Sequence, residues 1–416
     1  MKLQKSNRQI ITSFKSFLLT KSLTTERKFL AERAISVKAS IRTRMLELAS
    51  TFDDVIPLGR GDPDFDTPQV IVDAGITALK NGLHHYTAPI GMPELRTEIC
   101  KKLKRDNRLD YSPNQIIVCN GCQEALFISI MTLVNPGDEV ILQEPRFNSF
   151  DYMVNLAGGS VVSIPTRESD NFSLLAKDIR RVITDKTKLL VVANPNNPTG
   201  SLIKRSDMIE IAELAAEKDI AVLSDEIYEK IIFDDGEHCS LAPLVGMYDR
   251  TVTINGLSKS YAMTGWRVGY LAAPLWFMEP ASEIKHAISI CTAPSMQKAA
   301  LVALKDGEHD VARMTKIYQQ RRDLIMAGLD QIGLTYGHPG GGMYIYANVS
   351  STGVDAENFC YELLKQEHVL VFPGTLFADT NNQHIRLTLL SPENTISEAL
   401  VRLTRFTKKL RDNKSS

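Results

Sequence analysis

The chain has 416 residues, 44% of them hydrophobic and 23% charged, with a formal net charge of −1. That balance leaves no electrostatic footprint for nucleic acid or an anionic membrane surface. No stretch is long and apolar enough to span a bilayer, and the length suits two packed domains.

Residues 1–25 carry five basic side chains (Lys2, Lys5, Arg8, Lys15, Lys21), no acid, and many Ser and Thr. Targeting peptides are acid-poor and basic, but this segment prefers Lys to Arg and holds little alanine. Residues 1–27 are therefore read as a flexible basic extension. From about 28 to 60 the pattern is helical. Between 115 and 273 short β-branched runs alternate with helix-compatible stretches. The runs are "QIIVC" (115–119), "DEVILQ" (138–143), "SVVSIP" (160–165), "KLLVVA" (188–193), "IAVLS" (220–224), "TVTIN" (251–255) and "RVGYLAA" (267–273). Apolar runs separated by amphipathic stretches such as "RSDMIEIAELAAEKD" predict a buried, mostly parallel, seven-stranded sheet with helices on both faces. Further on, "MTKIYQQRRDLIMAGLDQI" predicts one long connecting helix. "GGGMYIYANV", "VLVFPGTLF" and "HIRLTLL" predict short strands broken by Gly and Pro. The expected organisation is a large domain over 66–304 and a smaller α+β domain built from both chain ends, 28–65 and 305–416.

Six cysteines make no disulfide framework and point to a reducing compartment. The cytoplasm is expected, with an organelle as the alternative if residues 1–25 are a targeting peptide. Cys119 and Cys122 have C-x-x-C spacing, yet no second pair or histidine pair accompanies them for zinc, and no metal is expected. They read as thiols at a strand end rather than a redox pair.

Ligands of an open parallel sheet sit beyond the carboxyl ends of its strands, and several polar turns fall there. "VCNGCQEALF" places Gly121 and Cys122 at a strand-to-helix turn whose free N–H groups suit a phosphate. Neither the dinucleotide glycine fingerprint nor the P-loop is present. "VVANPNNPTG" ends a strand with Asn194 and Asn197 before prolines. "VLSDEIYEK" ends another with Asp225, Glu226 and Tyr228, and a buried carboxylate there needs a cation or a donor. Taken singly, each also reads as a plain turn or cap. "NGLSKSYAMTGWRVGY" then sets Lys259 just past a strand and close before Arg267. An amine so placed attacks a carbonyl carbon, and a guanidinium fork holds a phosphate. An imine-forming lysine beside a phosphate anchor implies an aldehyde cofactor carrying a phosphate, pyridoxal 5'-phosphate.

In "GDPDFDTP", "YTAPIGMPELR", "NPNNPTG", "SDEIY", "SKSYAMTGWRVGY" and "HIRLTLL", taken in this order, the chain resembles the class I aminotransferases over about residues 28 to 410. These are aspartate/aromatic aminotransferase-like enzymes of pyridoxal-phosphate fold type I. The resemblance implies an α/β fold, with a large domain whose mostly parallel seven-stranded sheet lies between helices and a smaller α+β domain. It implies transfer of the amino group of an L-amino acid to a 2-oxo acid, with 2-oxoglutarate the expected acceptor, by a ping-pong route through pyridoxamine phosphate. Lys259 would hold the cofactor as an imine and relay the proton, Asp225 would pair with the pyridine nitrogen, and Tyr228 and Asn197 would bond the phenolic oxygen. Arg267, Ser258 and the amides around Gly121, Cys122 and Gln123 would hold the phosphate. Tyr86 would reach that phosphate from the neighbouring subunit of a homodimer, and Phe147 would stack on the ring. Arg386, with Asn197 and the backbone of Gly61, would take the substrate α-carboxylate.

The sequence departs from the family pattern in two places. Gly256 stands where other branches carry a phosphate-binding serine. Gln123 stands where some aspartate-using relatives have a lysine for the substrate side-chain carboxylate, which argues against strict aspartate specificity and leaves Arg60 and Arg146 as candidate partners. Two other functions fit parts of the pattern. A carbon–sulfur (β) lyase uses the same lysine and arginine. An effector-sensing regulator needs a DNA-binding module that residues 1–27 are too few to form.

Overall fold

The structure is a computed structural model and describes residues 29–31, 33 and 41–414. The basic extension expected over residues 1–27 lies outside them. After β1 (Ile56–Pro57), seven strands build one sheet: β2 (Ile116–Cys119), β3 (Glu139–Glu144), β4 (Ser160–Pro165), β5 (Thr187–Ala193), β6 (Ala221–Asp225), β7 (Thr251–Gly256) and β8 (Gly269–Ala272). Their order is β2-β8-β7-β6-β5-β3-β4. Every neighbour runs parallel except β8, which is antiparallel to both β2 and β7. The seven apolar runs are thus the seven strands, and the α/β fold with a mostly parallel sheet is as expected.

The strands read as apolar throughout because both faces are covered. Side chains alternate across a strand. Ile117 and Cys119 face a core shared with helices Cys122–Leu133 and Leu275–Ser289, through Leu126, Phe277 and Ala281. Ile116 and Val118 face the opposite core, shared with helices Pro93–Asn107 and Pro294–Asp306, through Leu95, Ile99 and Ala299. Each such aliphatic side chain contributes about 1.5–3 kcal/mol on burial.

The direction of β8 positions the site. The strands β2, β3, β5, β6 and β7 all end at one edge of the sheet. Antiparallel β8 begins there, so Arg267, two residues before it, arrives at the edge where the other strands deliver their final side chains.

Four short strands, β9 (Thr335–Tyr336), β10 (Tyr344–Asn348), β12 (Phe372–Pro373) and β13 (His384–Thr388), form an antiparallel sheet ordered β12-β13-β10-β9. β1 pairs in parallel with β11 (Val369–Leu370). The expected long helix spans Glu308–Ile332 and packs in one core with Met45, Ile345, Phe359 and Phe406. The helix expected over about 28–60 is shorter, and much of its first part lies outside the described residues. Its described turns run from Ile41 to Ala49. The hydroxyls of Ser50 and Thr51 donate to the Glu47 and Leu48 carbonyls at 2.7 Å, occupying the helix end, and the chain then extends into β1. No described helix is long and apolar enough to cross a membrane.

Candidate active site

A cavity of about 1660 Å³ opens between the carboxyl edge of the large sheet and the smaller one. Phe147 follows β3, Asn197 follows β5, Asp225 and Tyr228 close β6, and Ser258 and Lys259 follow β7. All six line the cavity, together with Gly61, Cys122, Gln123, Arg267 and, from β13, Arg386.

One corner is built for an anion. The helix Cys122–Leu133 starts there, and its first N–H groups carry partial positive charge. Gly121 precedes it with φ 79°, and a Cβ at that position would lie 2.4 Å from the Arg267 guanidinium. Arg267 donates to the carbonyls of Thr264 at 2.9 Å and Asn120 at 3.4 Å, and no described carboxylate neutralises it. Gly256 follows from the same packing. A Cβ there would meet the Cys122 sulfur at 2.9 Å, so no serine fits at 256 while Cys122 occupies the corner. Both C-x-x-C thiols are free, and burial pushes each up from its ordinary pKa, which leaves them protonated and unreactive.

Lys259 donates to the Gly61 carbonyl at 2.6 Å. Asp225 is buried, accepts one long bond from the Ile227 amide at 3.3 Å, and has no cation partner among the described residues. Burial, opposed in part by that amide and reinforced by the charge of Glu226, raises its carboxyl to about 6. Tyr228 and Tyr344 share a hydroxyl–hydroxyl bond of 3.0 Å. Burial and the neighbouring Tyr344 push Tyr228 well up. For Tyr344 burial acts in the same sense, but the charges of Lys259 and Arg386 outweigh it and hold the hydroxyl below its ordinary value.

Behind Asp225, the buried carboxylates of Glu226 and Glu229 and the ring of His238 lie close enough to suggest a metal site. The chain fills that space itself. Lys102 pairs with Glu229, and Asn107 donates to Glu226 at 3.1 Å and to Glu229 at 2.6 Å. Ser240 adds a bond to Glu226 at 2.5 Å. The cluster is a hydrogen-bonded brace under β6, built around the Lys102–Glu229 ion pair.

At the far wall Arg386 is buried without an anion. It donates to Asn197 Oδ1 at 3.0 Å and the Gly59 carbonyl at 2.7 Å, its Nε has no partner, and its guanidinium stands 4.4 Å from both the Tyr344 and Phe377 rings. Removal from water lowers its pKa from the usual arginine value. An unneutralised buried guanidinium with a spare N–H is a receptor for a carboxylate.

Three predicted residues do not line this cavity: Gly121, which stands against Arg267 at the helix start, Tyr86, expected at a neighbouring subunit's site, and Arg146. Tyr86 is 78% exposed and lies outside its lining. Arg146, considered for a side-chain carboxylate, is committed elsewhere: it forks onto Asp151 at 2.9 and 2.6 Å and donates to Ser163 at 2.9 Å. The acid stands five residues on, in the first turn of helix Ser149–Leu156, so Arg146 is not available to a substrate carboxylate. Gln123 donates to Ser149 at 2.7 Å and supplies no charge.

Residues 53–403 match the family model for class I and II aminotransferases. The chain belongs to this family. It is 38% identical to the aspartate aminotransferase of Pyrococcus abyssi, over 90% of this chain and 97% of that one. It is 36% identical to aromatic-amino-acid aminotransferase 2 of Thermococcus litoralis, over 91% and 98%. The solved structure of the Thermus thermophilus aspartate aminotransferase with maleate superposes with a TM-score of 0.86 at 36% identity, covering 91% of this chain and 99% of that one. The chain is a pyridoxal-phosphate-dependent aminotransferase: it moves amino groups, and the relatives do not favour the lyase reading.

The residues present fit that cofactor. A buried carboxylate lacking a cation suits a protonated ring nitrogen, and the helix start with Arg267 suits a phosphate. Sequence reasoning missed Tyr344, Phe377 and Arg42 in this aminotransferase's cavity. For Tyr344 a signal existed. In the register Tyr346↔Arg386, Tyr344 is the diagonal neighbour of Arg386 on the same face, which follows once "MYIYAN" and "HIRLT" are paired antiparallel.

Asp225 carries a pH prediction for the cofactor-free protein. Its folded value of about 6 exceeds the ordinary 3.8, so ionising it costs the fold. The contribution is fully present below the ordinary value and is lost as pH rises through about 6. The gap corresponds to about 3 kcal/mol. Without cofactor, Asp225→Asn is expected to exceed the wild type in stability by about that amount at neutral pH, with the difference vanishing toward pH 4. Paired urea melts across this range check it, and a pH-independent difference refutes it.

Proposed function

We propose that this aminotransferase takes its amino group from an L-amino acid and passes it to 2-oxoglutarate, with both half-reactions in the cavity described above. The observation that carries the reading is the convergence of Lys259, Asp225 and Arg386 on one cavity from two sheets. Bound there, the cofactor supplies an electron-accepting ring that stabilises negative charge at the substrate Cα. Arg386 holds the α-carboxylate through its unpartnered Nε–H and an adjacent N–H, and Asn197 and Gly61 orient it. Lys259 moves the proton at Cα, Asp225 keeps a proton on the ring nitrogen, and Tyr228 and Asn197 donate to the phenolic oxygen. Arg267, Ser258 and the amides of Gly121, Cys122 and Gln123 hold the phosphate, and Phe147 covers the ring.

Residues 66–304 form the cofactor-binding unit and 28–65 with 305–416 the smaller one. Because Arg386 and Lys259 come from different units, substrate draws the units together and excludes water. Tyr86, exposed in one chain, reaches the phosphate of the neighbouring site in a homodimer. Six free cysteines support a reducing compartment, the cytoplasm.

The test is to titrate the cofactor-loaded enzyme with each of the twenty amino acids, following the visible cofactor absorbance, and then to add 2-oxoglutarate. Loss of the absorbance and its stoichiometric return establish the two half-reactions. Ammonia and pyruvate appearing without any oxo acid would establish a lyase instead.

A further inference from the structure

The cavity holds two cations that the reaction as described does not use, Arg42 and Arg60, and of the two Arg42 is the one whose charge acts on Arg386 and on the Tyr344 hydroxyl. Among the described residues its basic lining consists of Arg42, Arg60, Lys259, Arg267 and Arg386. Lys259 is held on the Gly61 carbonyl, Arg267 belongs to the anion corner, and Arg386 stands over Asn197 and Gly59. Arg42 lies in the helix Ile41–Ala49, whose Met45 is anchored in the core. Residues four and seven positions on from Arg42, Leu46 and Ala49, also line the cavity, so Arg42, itself solvent-exposed, lies on the cavity side of the helix.

The charges are unbalanced in a way that suits a dianion. Arg42 and Arg386 act on each other and on the Tyr344 hydroxyl, so they share one field. The lining also holds Glu47, Asp53, Asp54, Asp62 and Asp225, and none of these described acids forms an ion pair with Arg42 or Arg386. Asp54 is paired with His368 and, at 3.2 Å, with Arg402, while Asp62 accepts from Thr264 at 2.6 Å. No described carboxylate makes an ion pair with either arginine. One carboxylate satisfies Arg386 and leaves the second positive charge uncompensated; a second carboxylate on the same molecule completes the match.

We propose that Arg42 receives the side-chain carboxylate of dicarboxylic substrates, 2-oxoglutarate, glutamate and aspartate, in the role that neither Gln123 nor Arg146 fills. The inference rests on the aminotransfer reading above. The apolar walls from Leu46, Phe372 and Leu376 remain available to neutral side chains, so Arg42 sets a preference between two classes of substrate.

The test compares the wild type with Arg42→Ala, Arg42→Lys and Arg60→Ala, all cofactor-loaded. The first readout is the ratio of kcat/KM for glutamate to that for phenylalanine. The second is the dissociation constant of maleate, followed by its effect on the cofactor absorbance. Arg42→Ala is expected to lower the ratio by about tenfold or more and to weaken maleate by a similar factor, with Arg42→Lys recovering most of both. A misfolded variant would lose both amino acids alike and would not be recovered by lysine. An unchanged ratio in Arg42→Ala, or the selective loss appearing in Arg60→Ala instead, overturns the proposal. Wild-type enzyme inert toward every amino acid would strike the aminotransfer reading rather than the assignment of Arg42.

Discussion

Lys259→Ala is expected to abolish turnover, with kcat falling by about 10⁴-fold or more, the upper range for removing a positioned proton carrier. Lys259 is the one lysine among the described residues of the cavity lining, so no second primary amine stands ready to substitute. The fold has little to lose. The amine makes one bond, to the Gly61 carbonyl, and a single hydrogen bond of that kind is worth about 1–3 kcal/mol. The anion corner and Asp225 are untouched, so the variant still binds cofactor without a covalent link. Borohydride reduction followed by tryptic digestion should tag the peptide "TVTINGLSKSYAMTGWR" in the wild type and nothing in the variant. A label elsewhere, or turnover near the wild-type rate, would place the reactive amine at another position.

How much of this was legible in the sequence depended on whether a residue's role is local. The seven strands were readable because each is buried on both faces and therefore apolar along its length, with polar turns as punctuation. Lys259, Asp225 and Arg267 were readable because each stands within a few residues of a strand end, where charge is out of place unless it serves something. Helix Ile41–Ala49 was overextended because the Ser50 and Thr51 hydroxyls that end it are weak signals beside the apolar residues that follow. Arg146 misled because sequence proximity to Phe147 says nothing about which way a guanidinium turns, and Asp151 captures it. Tyr344 was legible only once two strands about 40 residues apart are paired, and Arg42 not at all, because its value lies in acting on Arg386, more than 300 residues away. Such pairings appear only when the two ends of the chain share a core.

Arg386→Ala is expected to raise the concentration of every amino acid needed for half-saturation and to lower kcat/KM by about 30- to several thousand-fold, the equivalent of about 2–5 kcal/mol for truncating a buried charge pair. The size of the effect follows from what the cavity withholds. Arg386 is 6% exposed and without an anion, so the cost of taking its charge out of water is met before substrate arrives and is relieved when a carboxylate binds. Its unpartnered Nε and the free edge beside Asn197 offer the planar fork that a carboxylate fits and an ammonium does not. Arg386→Lys therefore restores charge but not the paired bonds, and should recover only part of the loss. The effect must fall on all amino acids equally, since each carries an α-carboxylate, whereas a change at position 42 must divide them by side chain. Cofactor absorbance in the absence of substrate should be unaltered. If amino-acid concentration dependence were unchanged in Arg386→Ala, the buried guanidinium would be a structural post between Tyr344 and Phe377, and the carboxylate receptor would have to be sought elsewhere in the cavity.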